Sequence, residues 1–270
     1  MALLINTDIE ARVHRSIQGH IARIGGTVNQ LMTYDGCTVD DLNLPDGGFG
    51  KIRSGVRSIL SVKKHITQEW RFRKHGWREP RDRKALLLDI HDAYRRPDLL
   101  GRYDATVSSN MIEHSPNPIW LLINIHLITK PGGWQYHAIP HYRYTYDMYR
   151  EPTPLAHLIA DFESGADASD TTHNDDYYRS AVVEHGWQKA FHEKYPVTYP
   201  FIHFHVFDEQ TVAQLFSFVF EDVVNDVIKT EVYSDNLVLC RNRLRPEFAA
   251  AYGDLVQRYR DGAMGSRVYS

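Results

Sequence analysis

Residues 103–141 read YDATVSSNMIEHSPNPIWLLINIHLITKPGGWQYHAIPH, and the order of elements predicted in this stretch decides the fold. Residues 103–109 and 134–139 have the composition of short strands, whereas residues 118–128 repeat apolar side chains with the 3.6-residue period of a helix. The sequence Lys-Pro-Gly-Gly at residues 130–133 separates the helix from the second strand, because proline cannot continue a helix and the glycines permit a tight turn. Strand, helix and strand in this order are typical of a parallel sheet covered by helices.

Similar patterns flank this unit on both sides. Upstream, residues 7–23 have the pattern of a helix and residues 84–90 (KALLLDI) that of a buried strand. Downstream we predict a short strand, a helix and a final pair of strands, at residues 203–207, 208–220, 223–229 and 236–240. The whole pattern predicts an α/β fold.

Composition divides the chain into three parts. Residues 84–242 carry the alternating strands and helices and form the predicted core, whereas residues 1–83 hold a helix and an irregular basic segment that can include the first strands of the sheet. Within the core, residues 163–200 are rich in Asp, His and Tyr and are expected to form an inserted lid over the sheet edge. Residues 243–270 are polar, and we expect a peripheral tail.

The composition excludes several classes of protein. A chain of 270 residues with 43% hydrophobic and 12% aromatic residues can bury a large core, which excludes disordered and fibrous proteins. Cys37 and Cys240 lie too far apart in the chain for a CxxC metal motif, and they predict no disulfide scaffold. Without a signal peptide or an unbroken apolar span, a cytoplasmic location is expected, including the inner face of the membrane as a peripheral site.

Positive charge is concentrated in residues 51–84. This stretch holds 12 of the 31 lysines and arginines, and Trp70, Phe72 and Trp77 alternate with cations in EWRFRKHGW. Such a segment suits an anionic membrane surface, a phosphorylated or acidic glycan, or nucleic acid. Nucleic acid is the least favoured partner, because no nucleic-acid-binding motif accompanies the segment. A solvated basic face whose aromatic side chains point inward is the alternative.

The order and spacing of Asp104, Glu113-His114, residues 130–133 and Pro140 resemble class I S-adenosylmethionine-dependent methyltransferases. The subgroup they resemble is the methyltransferase type 11-like one that is associated with bacterial glycan biosynthesis. The resemblance implies a Rossmann-like sheet flanked by helices, with an inserted lid and an irregular N-terminal part. It also implies that S-adenosylmethionine is the cofactor.

In a parallel sheet of this kind, ligands bind beyond the carboxyl ends of the strands. The cofactor-binding residues that the resemblance implies there are Asp89, Ser108, Asn110, Glu113 and His114. The glycine loop of the family has two candidate equivalents, Gly25-Gly26 and PDGGFG at residues 45–50. In the first, Arg23 stands in place of an acid, and Asp40 and Asp41 are candidate ribose ligands. Asp89 also suits a helix cap or a turn.

Methyl transfer to a hydroxyl requires a group that removes one proton, and a neutral imidazole suits that role. His141 follows the end of a predicted strand and is the candidate base, with Asp147 to orient it. The aromatic and cationic residues that follow are candidates for substrate binding: Tyr142, Arg143 and Arg150. A structural histidine among packing aromatics is the alternative.

A divalent metal is the second cofactor considered. His203 and His205 are two residues apart, which on a strand places both imidazoles on one face, and a metal held there could polarise a sugar diol. With 15 histidines in the chain, pairs also arise by chance.

The function predicted from the sequence is O-methylation of a sugar hydroxyl in a bacterial glycan or glycan precursor. Arg71, Arg73 and Lys74 would bind the anionic carrier of a lipid-linked glycan. The alternative is a catalytically inactive methyltransferase-like subunit that docks on a membrane or on a glycan-assembly enzyme through its basic segment.

Overall fold

A computed structural model describes residues 16–25, 33–34, 37–43, 77–78, 83–186, 202–229 and 234–264. Gly26, Arg71, Arg73 and Lys74 lie outside the described residues, so the roles predicted for them remain predictions.

A seven-stranded sheet forms the centre of the molecule. The strands, in chain order, are β1 (His20–Ile24), β2 (Thr33–Tyr34), β3 (Thr38–Asn43), β4 (Trp77–Arg78), β5 (Arg83–Leu87), β6 (Tyr103–Ser109), β7 (Thr129–Pro140), β8 (Val224–Lys229) and β9 (Ser234–Arg241). The order in the sheet is β5-β3-β1-β6-β7-β9-β8, with β2 and β4 paired separately. The first five strands in this order (β5, β3, β1, β6 and β7) are parallel to one another. Strand β9 lies between β7 and β8 and runs antiparallel to both. The predicted Rossmann-like α/β fold is therefore confirmed.

The helices, in chain order, are α1 (Pro118–Ile128), α2 (Leu155–Ser164), α3 (Asn174–Tyr177), α4 (Glu209–Val219) and α5 (Pro246–Arg260). A π-helical stretch, Tyr178–Glu184, continues α3, and short 3-10 turns occur at Ile90–Arg95, Ile112–His114 and Tyr142–Tyr144. Helix α1 has the predicted bounds. Helix α4, predicted over residues 208–220, begins after the cap residue Asp208, whose carboxylate accepts from the Thr211 amide.

Strand β1 corrects the end of the helix predicted over residues 7–23, because residues 20–23 belong to the strand, whereas residues 7–15 lie outside the described residues. In HIARI, Ile21 packs on one face of the sheet and Ala22 and Ile24 on the other. A strand buried on both faces has apolar side chains in both directions, so its sequence lacks the alternation that marks a half-exposed strand.

The predicted turn at residues 130–133 is absorbed into a strand. β7 begins at Thr129 and continues through both glycines, and the β6 register shifts between Tyr103 and Ala105 to accommodate it. A Cβ on Gly133 would lie 2.7 Å from the carbonyl oxygen of Asp104. Glycine is therefore required at this position because the two parallel strands approach closely.

The described part of the predicted peripheral tail, residues 243–264, packs against the core. Helix α5 buries Phe248 and Tyr259 against the core, and the Tyr259 ring stacks on Trp120 of α1 at 4.4 Å between centroids. The helix is polar over most of its surface, so its short apolar stripe is only a weak signal in the sequence.

The described part of the predicted lid, residues 163–186, contacts the segment that follows β7, whereas residues 187–200 lie outside the described residues. Asp176 pairs with Arg150, and the Ser180 hydroxyl donates to the carbonyl of Tyr146. Arg150 and Tyr146 belong to the segment that follows the carboxyl end of β7. These contacts place residues 176–180 next to the segment that leaves the carboxyl end of β7.

The Tyr259 hydroxyl provides a test of how α5 is held. It accepts from Asn117 Nδ2 at 2.9 Å and donates to the carbonyl of Phe162, so Tyr259→Phe leaves two buried polar groups without this partner. We expect a loss of about 1–3 kcal/mol in the free energy of unfolding, measured by urea denaturation. Tyr252→Phe on the same helix is the control. Among the described residues its hydroxyl donates only to the exposed Glu163, and a loss as large as that of Tyr259→Phe would contradict the assignment.

Candidate functional site

The candidate site lies where the parallel strands β1, β5, β6 and β7 end. Gly25 follows β1 with a φ of +66°, and a Cβ there would lie 2.8 Å from the side chain of Met111. Asn110 follows β6, also with left-handed backbone (φ +50°), and its amide donates to the carbonyl of Ala138 on β7. Glycine is therefore required at position 25, both by the left-handed backbone and by the close approach of Met111.

Asp89 lies just beyond the carboxyl end of β5. Its Oδ1 is 2.8 Å from His91 Nδ1, and His91 Nε2 is 2.8 Å from the Ser115 hydroxyl. Burial alone would raise the pKa of Asp89, but the charge and hydrogen bonds of His91 hold it below its ordinary value. Within the described part of the chain, the buried Asp89 Oδ2 has no hydrogen-bond partner, so it can accept a hydrogen bond from a ligand.

Other predicted cofactor residues lie elsewhere. The carboxylate of Asp40 contacts Tyr103 and His20, the first residues of β6 and β1, and therefore lies towards the opposite, amino-terminal end of the sheet. The Ser108 hydroxyl is buried against His137 Nδ1 at 2.7 Å, inside the sheet.

Arg23 stands where the resemblance leads one to expect an acid, and the structure shows what it does. Its guanidinium makes two hydrogen bonds to the carboxylate of Asp41, at 2.6 and 3.0 Å, across the β1–β3 register. The buried positive charge of Arg23 on β1 is thus balanced by the negative charge of Asp41 on β3.

A polar pocket of about 220 Å³ opens beyond the carboxyl end of β7. Its lining residues are His141, Tyr142, Arg143, Tyr144, Asp208, Glu209 and Gln210. Three of the predicted residues are therefore brought together: His141, Tyr142 and Arg143. The amides of His141 and Tyr142 donate to the carbonyls of Ser234 and Phe207, which fixes this wall of the pocket.

His141 is held by Glu209 and not by Asp147, so the predicted His141–Asp147 pair is wrong. His141 Nε2 lies 2.9 Å from Glu209 Oε2, and Nδ1 accepts from the amide of Arg143. Because an amide can only donate, the ring proton is assigned to Nε2, which points to Glu209. The Glu209 side chain is 52% exposed and faces the pocket.

Asp147 instead belongs to a buried chain of polar groups beneath the lid. His203 Nδ1 is 2.5 Å from Asp147 Oδ2, and His203 Nε2 is 2.6 Å from the Tyr146 hydroxyl. The guanidinium of Arg150 bonds to Asp147, to Asp176 and to the carbonyls of His203 and Phe204. Arg150 is therefore committed to holding the lid, which corrects its predicted role in substrate binding.

Glu113 lies beside this chain and is fully buried. Neither of its carboxylate oxygens has a hydrogen-bond partner among the described residues, and His114 Nε2 lies 3.8 Å away. Burial raises the pKa of Glu113 to about 7. His114 Nδ1 is 2.9 Å from the carbonyl of Ile202, in the segment that follows the lid.

The predicted pairing of His203 with His205 is also wrong. Residues 203–207 form no strand, because their backbone bonds to loops instead of a ladder: the amide of His205 donates to the carbonyl of Glu113, and that of Val206 to Thr153 Oγ1. The two imidazoles consequently point into different clusters. His205 joins His157, Asp161 and His173.

Several site residues were missed in the sequence, including Glu209, His91 and Ser115. Glu209 follows the helix cap Asp208, and a carboxylate in a first helical turn is common without any function. The i, i+4 spacing of His157 and Asp161 on α2 was a usable signal, since residues at that spacing share one helix face.

Searches of protein-family models and of curated proteins find no match to this chain. Solved structures do match. The CurJ carbon methyltransferase is 12% identical, with 84% of this chain and 49% of that chain covered and a TM-score of 0.44. A SAM-dependent methyltransferase from Methanosarcina mazei is 13% identical, with coverages of 90% and 100% and a TM-score of 0.43. The CMeT domain of the citrinin polyketide synthase is 13% identical, with coverages of 84% and 47% and a TM-score of 0.38.

This chain thus spans about half the length of two of the three structures. At these identities the likeness concerns the fold alone. Within the ranges that the structure describes, no helix combines the length and apolar character needed to cross a membrane.

The buried Glu113 predicts a specific pH dependence of stability. Its pKa is about 7 in the folded protein and 4.5 for an ordinary glutamate, so folding favours the protonated form. The stabilisation is complete below pH 4.5 and is lost as the pH rises through 7. Glu113→Gln cannot ionise, so its free energy of unfolding relative to wild type should rise by roughly 2–3 kcal/mol between pH 5 and pH 8.

Urea denaturation at both pH values measures this difference. Any difference in the free energy of unfolding between Glu113→Gln and wild type that is the same at both pH values cancels in this comparison. If the free energies of unfolding of the two proteins change equally between pH 5 and pH 8, burial does not raise the pKa of Glu113 and the prediction is wrong.

Proposed function

We propose that this protein is an S-adenosylmethionine-dependent methyltransferase that acts on a hydroxyl group. The observation that carries the proposal is the arrangement at the carboxyl ends of the parallel strands: a buried, unpartnered acceptor oxygen on one side and a polar pocket with a His–Glu pair on the other. The sequence resemblance over residues 103–141 supports the same activity.

The donor side fits what the cofactor requires. Asp89 Oδ2 can accept from the exocyclic amine of adenine, while Asn110 and Gly25 offer left-handed backbone at the neighbouring strand ends. When bound, S-adenosylmethionine supplies an electrophilic methyl group on its sulfonium sulfur. The residues of the sheet would hold it still, because the rate of an in-line displacement depends on holding both partners at near-attack distance.

The acceptor side can take up the proton. The carboxylate of Glu209 faces the pocket and receives a hydrogen bond from His141 Nε2 at 2.9 Å. We assign Glu209 as the base for the acceptor hydroxyl. His141 fixes the orientation of that carboxylate through its Nε2–H, so Glu209 takes the role of base that the sequence assigned to His141.

The acceptor that suits this pocket best is a sugar of a bacterial glycan or its precursor. Tyr142 and Tyr144 offer aromatic faces, while Arg143, Glu209 and Gln210 offer donors and acceptors for several hydroxyls. The glycan class comes from the sequence resemblance, and the lining is compatible with it. A screen of glycans and nucleotide sugars with methyl-labelled cofactor, followed by hydrolysis and detection of O-methyl sugars, tests this class.

The proposed function predicts, first, that the protein binds the methyl donor. Titration calorimetry of the full chain should show binding of S-adenosylmethionine and S-adenosylhomocysteine, and Asp89→Asn should weaken both by at least about tenfold, since it replaces the carboxylate that accepts the hydrogen bond. Asp92→Asn, three residues away and partly exposed, is the matched control and should bind normally. If wild type binds neither ligand, the catalytically inactive subunit becomes the preferred interpretation.

Turnover provides the second prediction. Glu209→Gln should lower kcat by about 100-fold or more while leaving donor affinity unchanged, because only the proton acceptor is removed. Glu247→Gln, on the exposed side of α5, is the control. If Glu209→Gln keeps the wild-type kcat with an identified acceptor, the base has been assigned wrongly.

A further inference from the structure

A second cluster of titratable side chains lies apart from the pocket, at the junction of α2 and the lid. His157 Nε2 is 3.3 Å from His173 Nε2 and 3.4 Å from Asp161 Oδ2. His205 Nε2 is 3.6 Å from the same Asp161 oxygen. The ligand-type atoms of all four residues lie within 4.8 Å of one another, so one small ion could contact all of them.

We propose a binding site for one divalent transition-metal ion, with Zn²⁺ as the best match, formed by four side chains: His157, Asp161, His173 and His205. The proposal is independent of the methyltransferase activity.

The distances agree with the geometry of zinc. Zinc binds imidazole nitrogen and carboxylate oxygen at about 2.0–2.2 Å, and the corners of such a tetrahedron are about 3.3–3.5 Å apart. The three separations of 3.3, 3.4 and 3.6 Å correspond to edges of that tetrahedron. Three imidazoles and one carboxylate are also a ligand set that suits zinc and its neighbours better than magnesium or calcium.

Hydrogen bonding among the described residues leaves one buried carboxylate oxygen of the cluster unsatisfied. Asp161 is only 9% exposed, and its Oδ2 has no hydrogen-bond partner among the described residues although it faces two imidazoles. A buried carboxylate oxygen without a partner costs free energy, which a cation between it and the nitrogens would offset. The contact of His205 Nε2 with the carbonyl of Pro116, at 3.4 Å, is long for a hydrogen bond, and metal binding would replace it.

The other cluster of potential ligands is less suited to a metal. It comprises Glu113, His114 and His203. Both ring nitrogens of His203 are already bonded, to Asp147 and to Tyr146, and His114 Nδ1 lies against a backbone carbonyl. A metal there would have to break these short hydrogen bonds.

Four protein ligands leave no open position, which is the pattern of a structural site. The ion would link α2, the turn before α3 and the segment that carries His205. The amide of His205 donates to the carbonyl of Glu113, so the ion would also fix the lid against the turn that follows β6. Its expected role is to hold the lid in place.

Metal binding can be tested on the full chain prepared without a polyhistidine tag. After treatment with a chelator and desalting, the protein is titrated with Co²⁺, whose visible absorption reports tetrahedral coordination, and then with Zn²⁺ as competitor. We expect one equivalent of each ion, displacement of cobalt by zinc, and a higher melting temperature with zinc than without it. Absence of stoichiometric binding would overturn the proposal.

Three variants locate the site. His157→Ala and Asp161→Asn should each weaken cobalt affinity by at least about tenfold. Loss of a residue that only supports a metal ligand already weakens metal binding by about this factor, and loss of a ligand itself should weaken it at least as much. The matched control is His185→Ala, an exposed histidine of the same lid that lies outside the cluster, and it should bind like wild type. The His157 side chain is 43% exposed, so its loss should leave the fold intact, which circular dichroism checks. Wild-type affinity in both His157→Ala and Asp161→Asn would show that the ion binds elsewhere.

Discussion

Helix α1 has no face that can be left in water. Nine of its eleven residues are buried, including Asn124. The Asn124 side chain donates from Nδ2 to the carbonyl of Trp120 and accepts at Oδ1 from the backbone amide of Tyr94. A helix that is apolar all round must be covered on every side. The sheet covers one side, while α2, α4 and α5 contribute to the same buried cluster. The position of each outer helix, and hence of the lid and pocket built on them, depends on this requirement.

The sequence predicts well those elements whose local signals agree with their tertiary environment. α1, β6 and α4 carry clear periodicity and end signals, and their predicted bounds are close to the observed ones. It fails where burial on both faces removes the alternation, as in β1, and where backbone partners come from loops, as at residues 203–207. The covering of α1 by α5 could have been anticipated, since so apolar a helix requires a partner. The polar surface of α5 obscured that.

The candidate site shows the same division. Residues predicted from their position at strand ends, such as Asp89 and His141, do lie at the carboxyl edge, because parallel strands bring their ends together. Their partners could not be predicted. His141 meets Glu209 from 68 positions downstream, and His203 meets Asp147 from 56 positions upstream. A histidine is informative only when its neighbours are known, and in a chain with 15 of them the pairing depends on tertiary packing.

The junction at Asn117 has a consequence for how the chain folds during synthesis. Its side chain caps α1 through the amide of Trp120, and also donates to the carbonyl of Asp161 and to the hydroxyl of Tyr259. The last of these contacts spans 142 positions. A ribosome releases the chain from its amino terminus, so α1 is complete long before α5 emerges, and until then the Trp120 ring lacks its stacking partner. The nascent protein therefore carries an exposed apolar surface of the kind that chaperones bind.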